Sequence, residues 1–117
     1  MTGDEALIRE TVLDYFDGWF DADPGRMERA LHPELAKRSL EAEDTVDHIG
    51  AREMVEATAA GGGNRRATGE RRTDIRIVDV HGLIASVVVD SSVYREYLHL
   101  VRTQDGWKIV NALWDWA

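Results

Sequence analysis

The chain has no cysteine among its 117 residues. That removes disulfides, thiolate nucleophiles, thiolate metal sites and iron–sulfur clusters together. It has only two prolines, so turns and helix ends must be set mostly by other residues. No apolar run approaches the roughly 20 residues that a membrane span requires, which predicts no membrane association. MTGDEALIRE carries no apolar core of the kind a signal peptide needs, and a reducing cytoplasm is the expected location. Basic residues are also in short supply. The formal net charge is −8, which argues against a nucleic-acid partner, because duplex binding requires net basic surface. Arg65-Arg66 and Arg71-Arg72 are the one basic cluster, beside Gly61-Gly62-Gly63, and read as a solvated loop.

What is present is an ordinary globular balance, 44% hydrophobic and 31% charged, enough for one domain spanning residues 1–117 with its own core. Thr2 and Glu5 have the spacing of a capping box. Ile8, Val12, Tyr15, Phe16 and Trp19 follow at i, i+4, i+7, i+8 and i+11, an amphipathic helix to about Phe20 that Leu7 and Leu13 widen. Asp23-Pro24 starts a second helix. It ends at His32-Pro33, since a residue before proline is pushed out of the helical region. Glu34 to Leu40 is expected as a short extended segment anchored by Leu35 and Leu40, and Val46 to Ile49 as another. A third helix runs from about Gly50 to Ala60, and the Gly run ends it. That run lacks any phosphate-binding pattern.

From Arg72 the period becomes that of strands, with Ile75 and Ile77 opposite Arg76, Val78 and Val80. His81-Gly82 is a turn. Leu83 to Asp90 is a continuous apolar run, as in a strand covered on both faces. Val93 to Ala117 is a long hairpin about Gln104-Asp105-Gly106 and holds three of the four tryptophans. The order is α+β, three N-terminal helices packed on a mostly antiparallel sheet.

A three-residue hairpin loop with Gly106 in the left-handed conformation puts Thr103 opposite Trp107. One face then carries Val101–Ile109, His99–Asn111, Tyr97–Leu113 and Arg95–Asp115. The other carries Leu100–Val110, Leu98–Ala112, Glu96–Trp114 and Tyr94–Trp116. Both look dry. This pairing assigns helices and a pocket to the first face. It assigns a partner subunit, meeting Leu98, Leu100, Val110, Trp114 and Trp116, to the second.

Several segments together resemble the nuclear-transport-factor-2-like superfamily, which includes SnoaL-like cyclases, ketosteroid isomerase and scytalone dehydratase, and within it the putative lumazine-binding branch. These are Tyr15-Phe16-Asp17-Gly18-Trp19, Leu31-His32-Pro33, Gly50-Ala51-Arg52-Glu53-Met54, Tyr97-Leu98-His99-Leu100 and Gly106-Trp107-Lys108-Ile109-Val110-Asn111. The resemblance implies a cone-shaped fold, a pocket mouth between sheet and helices, and a homodimer through the sheet. The relatives' catalytic residues do not carry over, because no motif matches them residue by residue.

The leading expectation is a binding domain for a small, flat, partly polar organic ligand, with no cofactor. Tyr15, Trp19, His32, His48, Met54, Tyr97, His99 and Asn111 are the candidate lining. His99 is the best candidate for a general base, since histidine titrates near neutrality. A hydrogen-bonded buried histidine is the plainer reading. His32 either caps a helix or reaches the pocket, and His48 is placed at its rim. Three histidines from three elements, without ligand spacing, do not predict a metal site. The alternatives are a cofactor-free isomerase, dehydratase or cyclase with a pocket His or Asp as base, and a dimerisation module with a vestigial pocket.

Overall fold

The computed structural model describes residues 2–66 and 69–117, without the side chain of Thr2, so the capping box expected of Thr2 and Glu5 lies outside what is described. Helix α1 spans Thr2–Phe20. Ile8, Val12, Tyr15, Phe16 and Phe20 are buried along one side. Leu7 and Leu13, expected to widen that stripe, are 50% and 37% exposed. Each sits one residue, about 100°, off the buried line and turns past its edge. Helix α2 spans Pro24–Ala30, capped by the Asp23 carboxylate on the Arg26 N–H. It gives way at once to strand β1, Leu31–Leu40, which is longer than the extended segment expected from Glu34. Leu35 is buried, but Leu40, the other expected anchor, is 63% exposed. The two are five positions apart, an odd offset, so on a strand they point to opposite faces.

Strand β2 (Val46–Ile49) and helix α3 (Ala51–Ala59) follow, then a single 3-10 turn at Asn64–Arg66. Strands β3 (Thr73–His81), β4 (Ile84–Ser91), β5 (Tyr94–Thr103) and β6 (Gly106–Trp116) form an antiparallel meander. The six strands make one sheet in the order β2-β1-β6-β5-β4-β3, with β1 parallel to β6 and every other pair antiparallel. The helices lie on one face. Their apolar side chains meet Val87, Val89, Leu98, Leu100, Ile109 and Ala112 in a continuous core.

Two bulges correct the expected face assignments. In β3 the register shifts between Ile77 and Asp79, so Val80 packs on the core beside Ile75 and Ile77 instead of opposite them. In β6 it shifts between Ile109 and Asn111. The closing turn holds only Gln104 and Asp105, because Thr103 pairs with Gly106 (φ +105°), not with Trp107. That one-residue offset is undone at Val110, and beyond it the pairs His99–Asn111, Tyr97–Leu113 and Arg95–Asp115 are as expected.

The faces follow from this. Trp107 and Ile109 sit inside, as expected. After the bulge, however, Ala112 and Trp114 are inside and Asn111 and Leu113 outside. On β5, Tyr94, Glu96, Leu98 and Leu100 point to the helices. Leu98 and Leu100 are 0% and 1% exposed and cannot form the outer face expected of them. A bulge adds one residue to one strand, and one residue is enough to reverse every side chain beyond it.

Candidate functional site

On the inner face of β1, alternation turns Leu35, Lys37 and Ser39 toward the helices, and all three are buried. Lys37 lies beside Ala112 of β6, which in turn lies beside Leu98 of β5. The short Ala112 side chain leaves room for the lysine stem to cross β6 toward β5 and α1. There the Lys37 amine donates to the Tyr15 hydroxyl. That hydroxyl donates to Glu96 Oε2 at 2.9 Å, and Lys37 Nζ stands 3.7 Å from Glu96 Oε1. Glu96 is 2% exposed.

Burial dominates the protonation of all three groups. It lowers the Lys37 ammonium from its usual value, against the attraction of Glu96. It raises the Glu96 carboxyl, against Lys37 and the Tyr15 hydrogen bond. It holds the Tyr15 hydroxyl well above its ordinary range, with the Glu96 charge adding to the effect. A charge in a low-dielectric interior loses its hydration, so both members of the pair are driven toward their neutral forms.

Aromatic rings surround the amine. Its nitrogen lies 4.9, 5.9 and 5.7 Å from the ring centroids of Tyr15, Trp19 and Trp114. Trp19 Nε1 donates to the Tyr94 hydroxyl at 3.0 Å, and the Tyr94 ring meets Trp114 edge to face at 5.2 Å. Trp116 stacks on Tyr94 from the strand end. Trp19 is itself held from behind. A Cβ on Gly63 would lie 2.3 Å from the Trp19 carbonyl oxygen and 2.5 Å from its ring, so the Gly run packs against this tryptophan as well as ending α3.

These groups open on a cavity of about 560 Å³ between α3, the end of α1 and the inner sheet face. Lys37 and Ser39 supply polar groups on the sheet side, and Met54 and Ile49 add apolar wall. The rim carries charge of both signs, Glu41 and Asp47 with Arg65 and Arg66. The arrangement can enclose a planar molecule between aromatic faces and offer it one nitrogen donor from below.

The expected lining divides between the two faces. Tyr15, Trp19 and Met54 are at this cavity or its floor. Tyr97, His99 and Asn111 are exposed on the outer face. There the Asn111 amide lies 3.4 Å from His99 Nδ1, and both line a shallower depression of about 420 Å³ with Asp79, His81, Ser86 and Val110. His99 therefore points away from the helix-side cavity and loses the place that made it the candidate base. His48 is exposed on β2, opposite Arg38. His32 accepts the Glu34 N–H on its own Nδ1, closing a local turn. Lys37 and Glu96 were not among the sequence candidates; Glu96 shares its inward face of β5 with Tyr94, Leu98 and Leu100, whereas Lys37 shares its face of β1 with the polar Ser39.

The profile of the protein family described as putative lumazine-binding matches residues 3–115. No curated protein matches the chain. Among solved structures, a nuclear-transport-factor-2-like protein of unknown function from Shewanella baltica OS155 superposes with a TM-score of 0.83 at 16% identity, over 99% of this chain and 95% of that one. A second such protein, from Silicibacter pomeroyi DSS-3, gives 0.82 at 16% identity over 100% and 99%. A ketosteroid isomerase-like protein from Erwinia carotovora atroseptica gives 0.68 at 15% identity over 95% and 94%. At such identities the likeness to these structures is one of fold. With the family profile spanning nearly the whole sequence, the chain belongs to the putative lumazine-binding family and has the fold of the nuclear-transport-factor-2-like structures.

Proposed function

We propose that the helix-side cavity binds a small, flat, partly polar organic molecule. The observation that carries this is the enclosure of one buried amine by three aromatic rings at the floor of a cavity of about 560 Å³. Small-molecule sites occupy roughly 300–1,000 Å³ and pair apolar walls with few polar groups. A ligand carbonyl or ring nitrogen accepts from Lys37, and its plane lies against Trp19 and Trp114. The family description makes lumazine the first probe. Equilibrium dialysis and thermal shift with lumazine and related bicyclic heterocycles test the reading. Saturable binding that Trp114→Ala weakens about tenfold or more supports it, since aromatic contacts contribute about 0.5–1.5 kcal/mol beyond burial of area. No saturable binding by any planar heterocycle overturns it.

The protein is further proposed to be a cytoplasmic homodimer formed through the outer sheet face. The contact residues differ from those expected in the sequence. Tyr97 and its cross-strand partner Leu113 are 49% and 53% exposed, and Ile84 on β4 is 55% exposed. Apolar residues in that number on one sheet face favour a covered surface. Sedimentation of Leu113→Asp against the parent chain tests it, with dissociation expected. A parent chain that is monomeric at every concentration refutes it. For the cytoplasm, the absence of cysteine is the supporting observation, and no described helix is long and apolar enough to cross a membrane.

A further inference from the structure

We propose that Lys37 is a carbonyl-capturing amine, condensing with an aldehyde or ketone held in the helix-side cavity to give an imine. The proposal rests on the binding role of that cavity and names the chemical class it takes.

The choice of residue is the first argument. Of the fourteen basic side chains only two are lysines, Lys37 and Lys108. Among the described residues, every other ion pair draws its cation from arginine. A purely structural cation, enclosed by aromatic rings and facing a carboxylate, is better served by the weakly hydrated, bidentate guanidinium. What lysine offers and arginine does not is a neutral form with a free electron pair. The one buried, cavity-lining cation is the one that can become a nucleophile.

The second argument is the placement of proton-handling groups. Glu96 Oε1 is 3.7 Å from the nitrogen, and the Tyr15 hydroxyl bridges the nitrogen to Glu96 Oε2. In the step, the ammonium gives a proton to Glu96, directly or through the Tyr15 hydroxyl. The nitrogen pair attacks the carbonyl carbon, the N–C bond forms, and the oxygen takes a proton to give a carbinolamine. Loss of the remaining N–H proton and of the hydroxyl group, protonated by Glu96, releases one water and leaves the C=N bond. No oxidant or reductant is required. Burial favours the amine form of Lys37 and the acid form of Glu96, in keeping with these roles. The other charged groups at this cavity are Glu41, Asp47, Arg65 and Arg66 at its rim.

The test uses the full chain with 2-naphthaldehyde and cyanoborohydride at pH 7, which converts any imine into a stable naphthylmethyl amine. Peptide mapping by mass spectrometry locates it. Lys108, whose amine reaches the Arg29 carbonyl at the surface, is the internal control. The cavity holds the aldehyde beside Lys37 and not beside Lys108, so modification of Lys37 is expected to exceed that of Lys108 by about tenfold or more. It is expected to fall when 2-naphthalenemethanol, the same rings without a carbonyl, competes. In Lys37→Arg the total labelling is expected to fall to the level that Lys108 alone accounts for. If the alcohol binds the cavity but Lys37 stays unmodified, or is modified no faster than Lys108, the imine is overturned and the binding role stands. If neither compound binds and Lys37 stays unmodified, the imine is overturned, and the binding role falls with it where the bicyclic heterocycles also fail to bind.

Discussion

Lys37→Met tests the buried pair through its pH dependence. Methionine keeps an unbranched stem of similar reach and removes the charge. In the parent chain, Lys37 and Glu96 together hold one proton when folded, whether as ammonium with carboxylate or as amine with acid. Unfolded, at pH 5–7, they also hold one, on the lysine. The pair therefore adds no slope to stability against pH in that window. In the variant, Glu96 remains buried against Tyr15 without its cation. Burial already raises its pKa, and losing Lys37 removes the largest influence that lowers it. A carboxyl whose folded pKa is raised stabilises fully below the unfolded pKa of about 4.3, and that contribution is lost as pH rises toward the folded pKa. Wherever the folded variant holds one proton more than the unfolded chain, stability falls by about 1.36 kcal/mol per pH unit. Between pH 5 and pH 7 the variant is therefore expected to lose stability relative to the parent at up to that slope, against a total of roughly 5–15 kcal/mol. Urea denaturation of both proteins at pH 5, 6 and 7 measures it. Lys37→Met with Glu96→Gln removes the titrating group and is expected to restore the parent's slope. Curves for Lys37→Met and the parent that run parallel from pH 5 to 7 would refute the account of Glu96 as a buried acid balanced by one cation.

Gly63→Ala forces a methyl group into the Trp19 backbone and ring. It is expected to destabilise by about 1–3 kcal/mol and to loosen the cavity wall, read by urea denaturation and by Trp19 near-ultraviolet circular dichroism. Tyr94→Phe deprives the Trp19 indole of its acceptor and is expected to cost about 1 kcal/mol by the same denaturation. For Asp14, burial pushes the carboxyl up, but hydrogen bonds and charge from Arg29 and Arg26 outweigh it and hold it below its usual range. Its contribution is present above an unfolded pKa of about 3.9 and lost as pH falls through the lower folded value. Asp14→Asn should therefore be less stable than the parent at pH 7, by up to about 1 kcal/mol for an ion pair at the surface, and the gap should narrow as pH falls below about 3.9.

The helices and strands were legible because each has a local cause. Asp23-Pro24 caps α2, the α1 stripe repeats at helical period, and the meander alternates between turns. The choice of inner face was not legible, because it turned on two offsets of one residue, the short turn at Gln104-Asp105 and the bulge at Val110. Neither leaves a mark in residue type, since valine sits as well in a bulge as in a regular strand. Tyr15, Trp19 and Met54 lie at the helix-side cavity or its floor because helix periodicity fixes their direction whatever the strands do. His99 and Asn111 were misplaced because strand parity alone decided theirs. Lys37 and Arg38 are adjacent basic residues, and only the sheet shows that the two point to opposite sides.

The bulge at Val110 also limits what can be transferred between these proteins. Relatives at 16% identity keep the fold, but a strand that gains or loses that one extra residue exchanges its ligand-facing and solvent-facing positions from there to the C-terminal end. A residue-by-residue alignment without a gap at Val110 would then equate a wall of one cavity with the exterior of another. Inheritance of a binding specificity along this strand depends on a backbone irregularity, which sequence conservation at Trp114 or Asn111 does not report.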